Sequence, residues 1–288
     1  MIVASSMVTE IISLIFGAAI GSFINVLGFR YSTRNGFKAA LRGRSRCQHG
    51  GHELKWLDLI PVLSFLFLRG QCRTCRKSIS WQYPIVEMLA ALVALFVPLR
   101  MGFSLPTLLW VLGFWTLLLI SIIDLRLQII PNSLVIFLAA LGVGLIASQY
   151  TDGLWGKVLE YNGISSLGAY YILFRIGNSA FLNHLYAIIF AFALFGGVHF
   201  ASKGKAMGLG DVKLATVLGV WFVFPDMVLA IALSFIVGSI VGLIMMGFGK
   251  LKFKSGIPFG PFMATGVTLV FFFGYDIVNA YFKIFGIF

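Results

Sequence analysis

The sequence predicts an all-α polytopic membrane protein with about eight transmembrane helices. Hydrophobic residues make up 59% of the 288 residues and charged residues only 11%, which is too little charge to cover the surface of a soluble globule. Several apolar runs are long enough to cross the hydrocarbon core of a bilayer. The eight predicted spans lie at about 7–29, 84–99, 105–123, 131–148, 181–201, 212–224, 227–248 and 258–281.

The first span is predicted to remain as a transmembrane helix. It follows no basic segment and carries no small-residue cleavage signal, so it does not resemble a signal peptide that is removed. The longest polar stretch comes directly after it. We therefore expect three domains, which are a first transmembrane helix at 1–29, a cytoplasmic loop domain at 30–83 and a membrane core at 84–288.

The basic residues predict the orientation of the chain. If both termini lie outside, 18 of the 22 Lys and Arg residues fall in cytoplasmic loops, as the positive-inside rule requires. The net charge of +12 then reflects orientation and attraction to anionic lipid headgroups. No basic helix or aromatic reading motif indicates nucleic-acid binding. The four basic residues left outside are Arg100, Lys157, Arg175 and Lys283.

One apolar stretch, 162–178, does not fit a simple alternation of spans. It is interrupted at Arg175 and is shorter than a span needs to be. If it crossed the membrane, the two aspartates discussed below would lie on opposite faces. We expect an interfacial helix on the outer face instead, and the sequence suggests no function for the region 150–180.

The loop at 30–83 is predicted to hold a metal ion. About 54 residues form a small hydrophobic core at best, so a stabilising crosslink is expected. All three cysteines lie here, and a reducing cytoplasm disfavours disulfides. Three thiolates and one imidazole complete a tetrahedral structural zinc site. The alternative is a chance Cys-x-x-Cys spacing. The candidate ligands are Cys47, Cys72 and Cys75, with either His49 or His52.

Two aspartates, Asp124 and Asp211, lie at the edges of apolar segments. A carboxylate at membrane depth is costly unless it is paired or hydrated, so such residues are functional candidates. Each has a structural alternative, because Asp211 could be a helix N-cap and Asp124 could pair with Arg126. The predicted topology, however, brings both carboxylates to the cytoplasmic boundary.

Two neighbouring carboxylates suit acid–base chemistry. They cannot both ionise cheaply, so one serves as a base while the other keeps a proton. This is the arrangement by which aspartic proteases hydrolyse a peptide bond. Gly208 and Gly210 flank the second aspartate and are expected to allow unusual dihedrals and close approach of an extended substrate. Pro131, in the Ile-Pro-Asn at 130–132, is suited to open the next helix.

With these motifs in place, the chain resembles the type IV prepilin peptidases, which are membrane aspartic proteases of the Gly-x-Gly-Asp kind. The resemblance extends over nearly the whole chain and is carried by ordered matches. These matches lie at 17–26, 57–64, 83–87, Asp124, 130–132, 206–214 and 257–262.

The resemblance implies a catalytic pair, Asp124 and Asp211, that cuts prepilins and type II secretion pseudopilins at the cytoplasmic face of the bacterial inner membrane. Cleavage would follow a glycine that ends a short basic leader. The family also commonly methylates the new amino terminus with S-adenosylmethionine. The residues expected to bind substrate or support the backbone are Gly208, Gly210, Lys213 and Glu87.

The chain departs from the family at the metal site. Members with this loop usually carry two Cys-x-x-Cys pairs, whereas here Gly50 replaces the second cysteine of the first pair. His49 or His52 is then the expected substitute ligand.

Two other functions compete with a protease. A proton-relay transporter would also use membrane carboxylates, but its carboxylates are expected through the depth of the bilayer and not at one face. A pilus-assembly scaffold with a dead active site is the other alternative, although both aspartates and their flanking motifs are intact. The sequence does not indicate an oligomeric state.

Overall fold

The computed structural model describes residues 2–34, 36–41, 43–47, 49–151, 165–176, 179–249 and 256–286. Within these ranges the secondary structure is helical, with isolated β-bridges and no strand. The predicted all-α class is confirmed. The chain divides into two compact units, Met1–Ile123 and Asp124–Phe288, and each is described by itself.

The first unit consists of helices joined by the Cys/His loop. A 3₁₀ turn at Trp56–Leu59 lies within that loop. The last helix of the unit continues into the first residues of the second unit. The α-helices are α1 (Ile2–Arg30), α2 (Gly36–Ala40), α3 (Leu63–Phe67), α4 (Gln82–Met101) and α5 (Leu105–Leu127).

Helices α1 and α4 pack closely because small residues line their contact. A Cβ added at Gly17 would lie 2.6 Å from the Cβ of Ala94, and one added at Gly21 would lie 2.6 Å from the Cα of Glu87. Small residues at this spacing allow helix backbones to approach closely in a membrane, where the hydrophobic effect does not drive helix association. The contact fixes Glu87 against the first helix.

The second unit contains the remaining helices. Helix α8 packs on α9, α9 on α6, and α10 on α11. The indole N–H of Trp221 donates to the Leu138 carbonyl at 3.0 Å, which ties α9 to α6. The helices are α6 (Asn132–Thr151), α7 (Tyr171–Phe174), α8 (Ala180–Ala201), α9 (Leu209–Trp221), α10 (Phe224–Gly247) and α11 (Gly260–Ile284).

Six helices of the described chain are long and apolar enough to cross a membrane. Of the two other predicted spans, 131–148 coincides with a shorter apolar helix, Asn132–Ser148, and 212–224 overlaps α9. Helix α9 has 13 residues and rises about 20 Å, less than the roughly 30 Å of a hydrocarbon core. The count of eight spans therefore remains a prediction. The six long helices are Met7–Arg30, Gln82–Met101, Leu105–Leu127, Ala180–Ala201, Phe224–Gly247 and Gly260–Ile284.

The stretch predicted as one interfacial helix is not a single helix. Its described part, 165–176, contains a 3₁₀ turn at Gly168–Tyr170 and the four-residue helix α7. The left-handed Gly168, with φ of +57°, interrupts regular helix geometry. Residues 162–164, 177 and 178 of the prediction lie outside the described ranges.

A buried carboxylate that the sequence reasoning missed anchors this segment. Asp226, 1% exposed in the first turn of α10, accepts a hydrogen bond from the Ser165 hydroxyl at 2.6 Å and one from the Ser166 N–H at 2.7 Å. A buried carboxylate must be hydrogen-bonded to be tolerated. Asp226 therefore has a structural role.

Candidate active site and metal centre

Asp124 lies in the last turn of α5 and is buried, with 4% exposure. Its Oδ2 accepts a hydrogen bond of 2.9 Å from the backbone N–H of Gly260, the first residue of α11. The first N–H groups of a helix have no partner within the helix, so this carboxylate satisfies one of them. The aspartate is thus held by a helix 136 residues away in sequence.

Asp211 is the third residue of α9, and Gly208 is the N-cap. Oδ2 of Asp211 accepts a hydrogen bond of 3.2 Å from the backbone N–H of Gly208. In a capping box, the side chain of the third helical residue makes this bond to the N–H of the N-cap residue. The alternative that Asp211 is itself the N-cap is therefore wrong, because the N-cap is Gly208, three residues earlier. Partial burial raises the pKa of the Asp211 carboxyl, and the Gly208 N–H opposes that change. A raised pKa favours a carboxyl that keeps its proton.

Both aspartates line one cavity of about 630 Å³, called here the active-site cavity. Their carboxylates are close enough for electrostatic repulsion between them. The cavity extends along Gly238 and Gly242 of α10 and past Phe259. Small residues on α10 leave space that larger side chains would fill. A cavity of this size, with convergent carboxylates and apolar walls, is typical of ligand sites.

The glycines beside Asp211 do not have unusual dihedrals. Gly208 has φ of −76° and ψ of 154°, and Gly210 lies within α9 with no positive φ. The close approach at Gly210 is to the protein itself, since an added Cβ would lie 3.1 Å from the Cβ of Ile130, and close approach of a substrate stays a prediction. Gly210 therefore allows the start of α9 to pack against the segment that precedes α6.

Lys213 and His199 hold the backbone around Asp211. The Lys213 ammonium donates to the Asn132 side-chain oxygen at 3.1 Å, joining the first turns of α9 and α6. His199 donates from Nδ1 to the Met207 carbonyl at 2.8 Å, which orients the turn that leads into Gly208. The sequence reasoning did not identify His199. The only sign of this role in the sequence was the position of His199, nine residues before Gly208, in what is the last turn of α8.

Gly260 is the other residue whose role the sequence did not reveal. A Cβ at this position would lie 2.7 Å from Oδ2 of Asp124. Glycine is thus required by close approach and not by backbone conformation. Its place in the motif at 257–262 was visible, but its contact with Asp124 was not.

We predict that Gly260→Ala lowers peptidase activity by roughly 10²-fold, because displacement of a reacting group by about 1 Å can have that effect. The added methyl group must push the Asp124 carboxylate away. Gly247→Ala is the matched control, since a Cβ there meets nothing within 4 Å. Initial rates of both purified variants test this. Equal rates for Gly260→Ala and the control would contradict it.

Glu87 belongs to the first unit, on α4, and is 7% exposed. It accepts the Val62 N–H at 2.7 Å and a hydrogen bond from the Ser22 hydroxyl. Support of the backbone, one of its two predicted roles, is the role that these contacts favour.

The three cysteines converge in the loop of the first unit. Their sulfurs lie within 4.8 Å of one another, and Sγ of Cys47 is 3.6 Å from Sγ of Cys75. Two ligands at about 2.3 Å from a tetrahedral zinc lie about 3.8 Å apart. The donor set thus fits a metal ion that prefers thiolates.

Cys47 and Cys72 each begin a turn of the same geometry. The Cys47 N–H donates to the His52 carbonyl and the Cys72 N–H to the Lys77 carbonyl, each at 2.9 Å. In this comparison Gly50 takes the place of Cys75. Cys75 is the second candidate metal ligand from the turn at Cys72. Because Gly50 has no side chain, a second ligand from the turn at Cys47 must come from another residue.

His52 is the candidate for that place. Its Nε2 lies 3.3 Å from Sγ of Cys72, and a Cβ added at Gly50 would lie 2.7 Å from Nδ1 of His52. A nitrogen and a sulfur on the same tetrahedral zinc lie about 3.5 Å apart. The ligand atoms that all lie within 4.8 Å of one another are the three sulfurs. His52, which is half-buried and contacts one of these sulfurs, is therefore a better candidate for the fourth ligand than the exposed His49.

We predict that His52→Ala lowers the zinc content of the purified protein well below the roughly one ion per chain expected of a structural site, because the shell loses a ligand. His49→Ala is the matched control and should keep its zinc. Elemental analysis of both variants measures this. Loss of zinc in His49→Ala alone would reverse the assignment.

Comparison with known proteins covers most of the chain. Residues 15–101 match the family described as the bacterial peptidase A24 N-terminal domain. Residues 111–243 match the type IV leader peptidase family. Similarity therefore extends over both aspartates and the Cys/His loop. No solved structure matches the chain.

Several curated relatives are named prepilin leader peptidase/N-methyltransferase. The protein from Stutzerimonas stutzeri is 34% identical over 82% of this chain and 74% of its own length. That from Pseudomonas aeruginosa is 30% identical over 95% and 93%. That from Legionella pneumophila is 32% identical over 83% and 75%.

Proposed function

Because the chain belongs to the type IV leader peptidase family, we propose that it removes the short basic leader from type IV prepilins and type II secretion pseudopilins as an aspartic endopeptidase. The observation that carries the proposal is the pair of carboxylates, Asp124 and Asp211, in one cavity of about 630 Å³.

Hydrolysis follows from the chemistry of this pair. The ionised aspartate takes a proton from water, whose oxygen attacks the scissile carbonyl, while the protonated aspartate donates to the carbonyl oxygen. When the C–N bond breaks, the proton taken from water passes to the leaving amine, and one hydroxyl proton of the intermediate returns to the other aspartate as the C=O bond re-forms. The backbone N–H groups of Gly208 and Gly260 hold the two carboxylates in position for both transfers.

The active site is proposed to face the cytoplasm of the bacterial inner membrane. The chain is a multi-pass membrane protein by the length and composition of its helices, and its orientation follows from the distribution of basic residues. Prepilin leaders would then be cut on the side of the membrane where they are made.

The orientation predicts which positions a membrane-impermeant maleimide labels in intact spheroplasts. A cysteine at position 103, in Phe103→Cys, should be labelled from outside. Lys205→Cys and the three native thiols should react only after permeabilisation, and peptide mass mapping separates them. Labelling at position 205 from outside would contradict the topology, because Asp211 would then lie on the outer face.

The relatives' names include N-methyltransferase, and we extend this second activity to the chain. When bound, S-adenosylmethionine would supply the methyl group for the unprotonated amine of the new terminus. Cys47, Cys72, Cys75 and His52 would hold a structural zinc ion that stabilises the loop domain.

The decisive experiment is incubation of the purified protein in detergent with a prepilin, followed by mass spectrometry of the product. Loss of the leader mass supports hydrolysis, and a further gain of one methyl group supports the transferase. An intact prepilin after incubation with well-folded protein would overturn the peptidase proposal. Cleavage without methylation would overturn the second activity alone.

A further inference from the structure

Helix α3, in the loop between α1 and α4, presents apolar side chains away from the protein. Phe65 is buried, whereas Leu63, Leu66 and Phe67 are exposed, the last of them to 84%. Residues i, i+3 and i+4 lie on one side of a helix, so these three side chains form what we call the exposed α3 face. A contiguous group of exposed apolar side chains indicates contact with a protein or a membrane. The peptidase proposal makes no use of this face.

The length of α4 sets the level of the membrane surface in the first unit. This helix is one of those long and apolar enough to cross a membrane, and it has 20 residues. It therefore rises about 30 Å, which is the full thickness of a hydrocarbon core. A span of that length has no turn to spare outside the core. The first turns of α4 thus lie at the boundary between headgroups and acyl chains.

Two contacts hold α3 beside these first turns. The N–H of Val62, the N-cap of α3, donates to Oε2 of Glu87 at 2.7 Å. Glu87 is five residues beyond the first residue of α4. The ring of Phe65 packs against that of Trp81, the N-cap of α4, with centroids 4.9 Å apart. Helix α3 therefore lies alongside the start of the span and not above it.

We infer that the exposed α3 face binds the membrane surface, with its three side chains among the headgroups and outer acyl carbons of an anionic leaflet. Apolar helix faces that lie on a membrane enter this boundary by about 5–10 Å. A five-residue helix is too short to bind a membrane by itself. Here the contacts with Glu87 and Trp81 hold it in place, and the membrane contact in turn fixes the Cys/His loop against the bilayer.

The charge around α3 favours lipid over a protein partner. Residues 55–77 contain five Lys or Arg and one acidic residue, a net charge of +4. The acidic residue, Asp58, is paired with Arg73 at 2.7 Å. Basic residues at the cytoplasmic surface are attracted by its anionic lipids, and their long side chains reach the headgroups while apolar neighbours stay in hydrocarbon. The exposed basic residues of this segment are Lys55, Arg69, Arg73, Arg76 and Lys77.

The same charge disfavours the two alternative partners. A second copy of the chain would bring another +4 to the contact. The proposed substrate carries a basic leader and would also be repelled, since like charges across an interface act against association. An anionic lipid surface is complementary in both charge and polarity.

Photolabelling of the full-length protein tests the inference. The protein is reconstituted in vesicles of phosphatidylglycerol and phosphatidylethanolamine that contain a phospholipid with a diazirine in its acyl chain. Trypsin releases the exposed α3 face in peptide 56–69, which follows Lys55 and ends at Arg69. After irradiation this peptide should carry lipid adducts, as should the span peptide 78–100. Peptide 47–55, from the same loop, should carry none. Absence of adducts from 56–69, or equal adducts on 47–55, would overturn the inference.

Two variants at one position separate insertion from accidental labelling. Phe67→Glu should lower the adducts on 56–69, relative to those on 78–100, by roughly threefold or more, because a charge is costly in hydrocarbon. Phe67→Leu is the matched control and should keep the wild-type ratio. Prepilin cleavage in detergent reports that each variant is folded. An unchanged ratio in folded Phe67→Glu would contradict insertion, and the wild-type peptides decide if that variant does not fold.

A photoreactive phenylalanine analogue at position 67 identifies the partner directly. In the same vesicles, with prepilin added, the adduct should have the mass of a phospholipid. A cross-link to prepilin or to a second copy of the chain, without a lipid adduct, would overturn the inference in favour of that partner. Phosphatidylcholine in place of phosphatidylglycerol should lower the yield of lipid adduct. An equal yield would overturn the preference for an anionic surface.

Discussion

Asp124→Asn and Asp211→Asn are each expected to lower leader cleavage by roughly 10²–10⁴-fold, the usual contribution of a positioned acid or base, while leaving the protein in the membrane. Hydrolysis needs one ionised and one protonated carboxyl in the cavity, and an amide replaces neither. Both side chains accept only one described backbone hydrogen bond through Oδ2, which an asparagine oxygen can also accept.

Asp226→Asn controls for loss of a buried carboxylate. Asp226 lies in the same unit but does not line the active-site cavity, so the folded variant should still cut. The measurement is the rate of conversion of prepilin to mature pilin by mass. Substantial cleavage by Asp124→Asn or by Asp211→Asn would rule out a catalytic pair.

Cys72→Ser is expected to lose bound zinc and to lose methyl transfer more severely than leader cleavage. Metal binding contributes much of the folding free energy of a small domain, and Cys72 is both a proposed ligand and part of the wall of a cavity of about 330 Å³ in the first unit. The proposed catalytic pair belongs to the second unit, so it should be less affected.

Elemental analysis and the two product masses measure these effects, with Thr74→Ser as a control inside the same Cys-x-x-Cys segment. Wild-type protein purified without stoichiometric metal would remove the zinc hypothesis. Equal loss of both activities in Cys72→Ser would show that the loop also shapes the peptidase site.

The membrane class and the candidate aspartates could be predicted from the sequence because their signals are local. Apolar length needs no knowledge of packing, and a carboxylate such as Asp124 is conspicuous among apolar neighbours. Asp226 was missed because it follows Pro225, where an acidic residue is typical of an ordinary helix start. Its burial depends on Ser165 and Ser166, about 60 residues earlier.

The partners of the site residues could not be predicted because they depend on tertiary contacts. Gly260 reaches Asp124 across 136 residues, and no local pattern encodes that distance. The choice between His49 and His52 likewise required the matching backbone hydrogen bonds at Cys47 and Cys72 and the contact between His52 and Cys72. Motif spacing placed both histidines near the cysteines but did not determine which ring lies beside a cysteine sulfur.

The geometry at Gly50 also sets the electrostatics of the loop. A cysteine at this position and the inward imidazole of His52 would overlap, since a Cβ there lies 2.7 Å from Nδ1. The shell therefore has either four thiolates or three thiolates and a neutral ring. With zinc these carry formal charges of about −2 and about −1. With the proposed zinc bound, this chain would have the less anionic form, beside the cavity of about 330 Å³ whose wall includes Cys47 and Cys72.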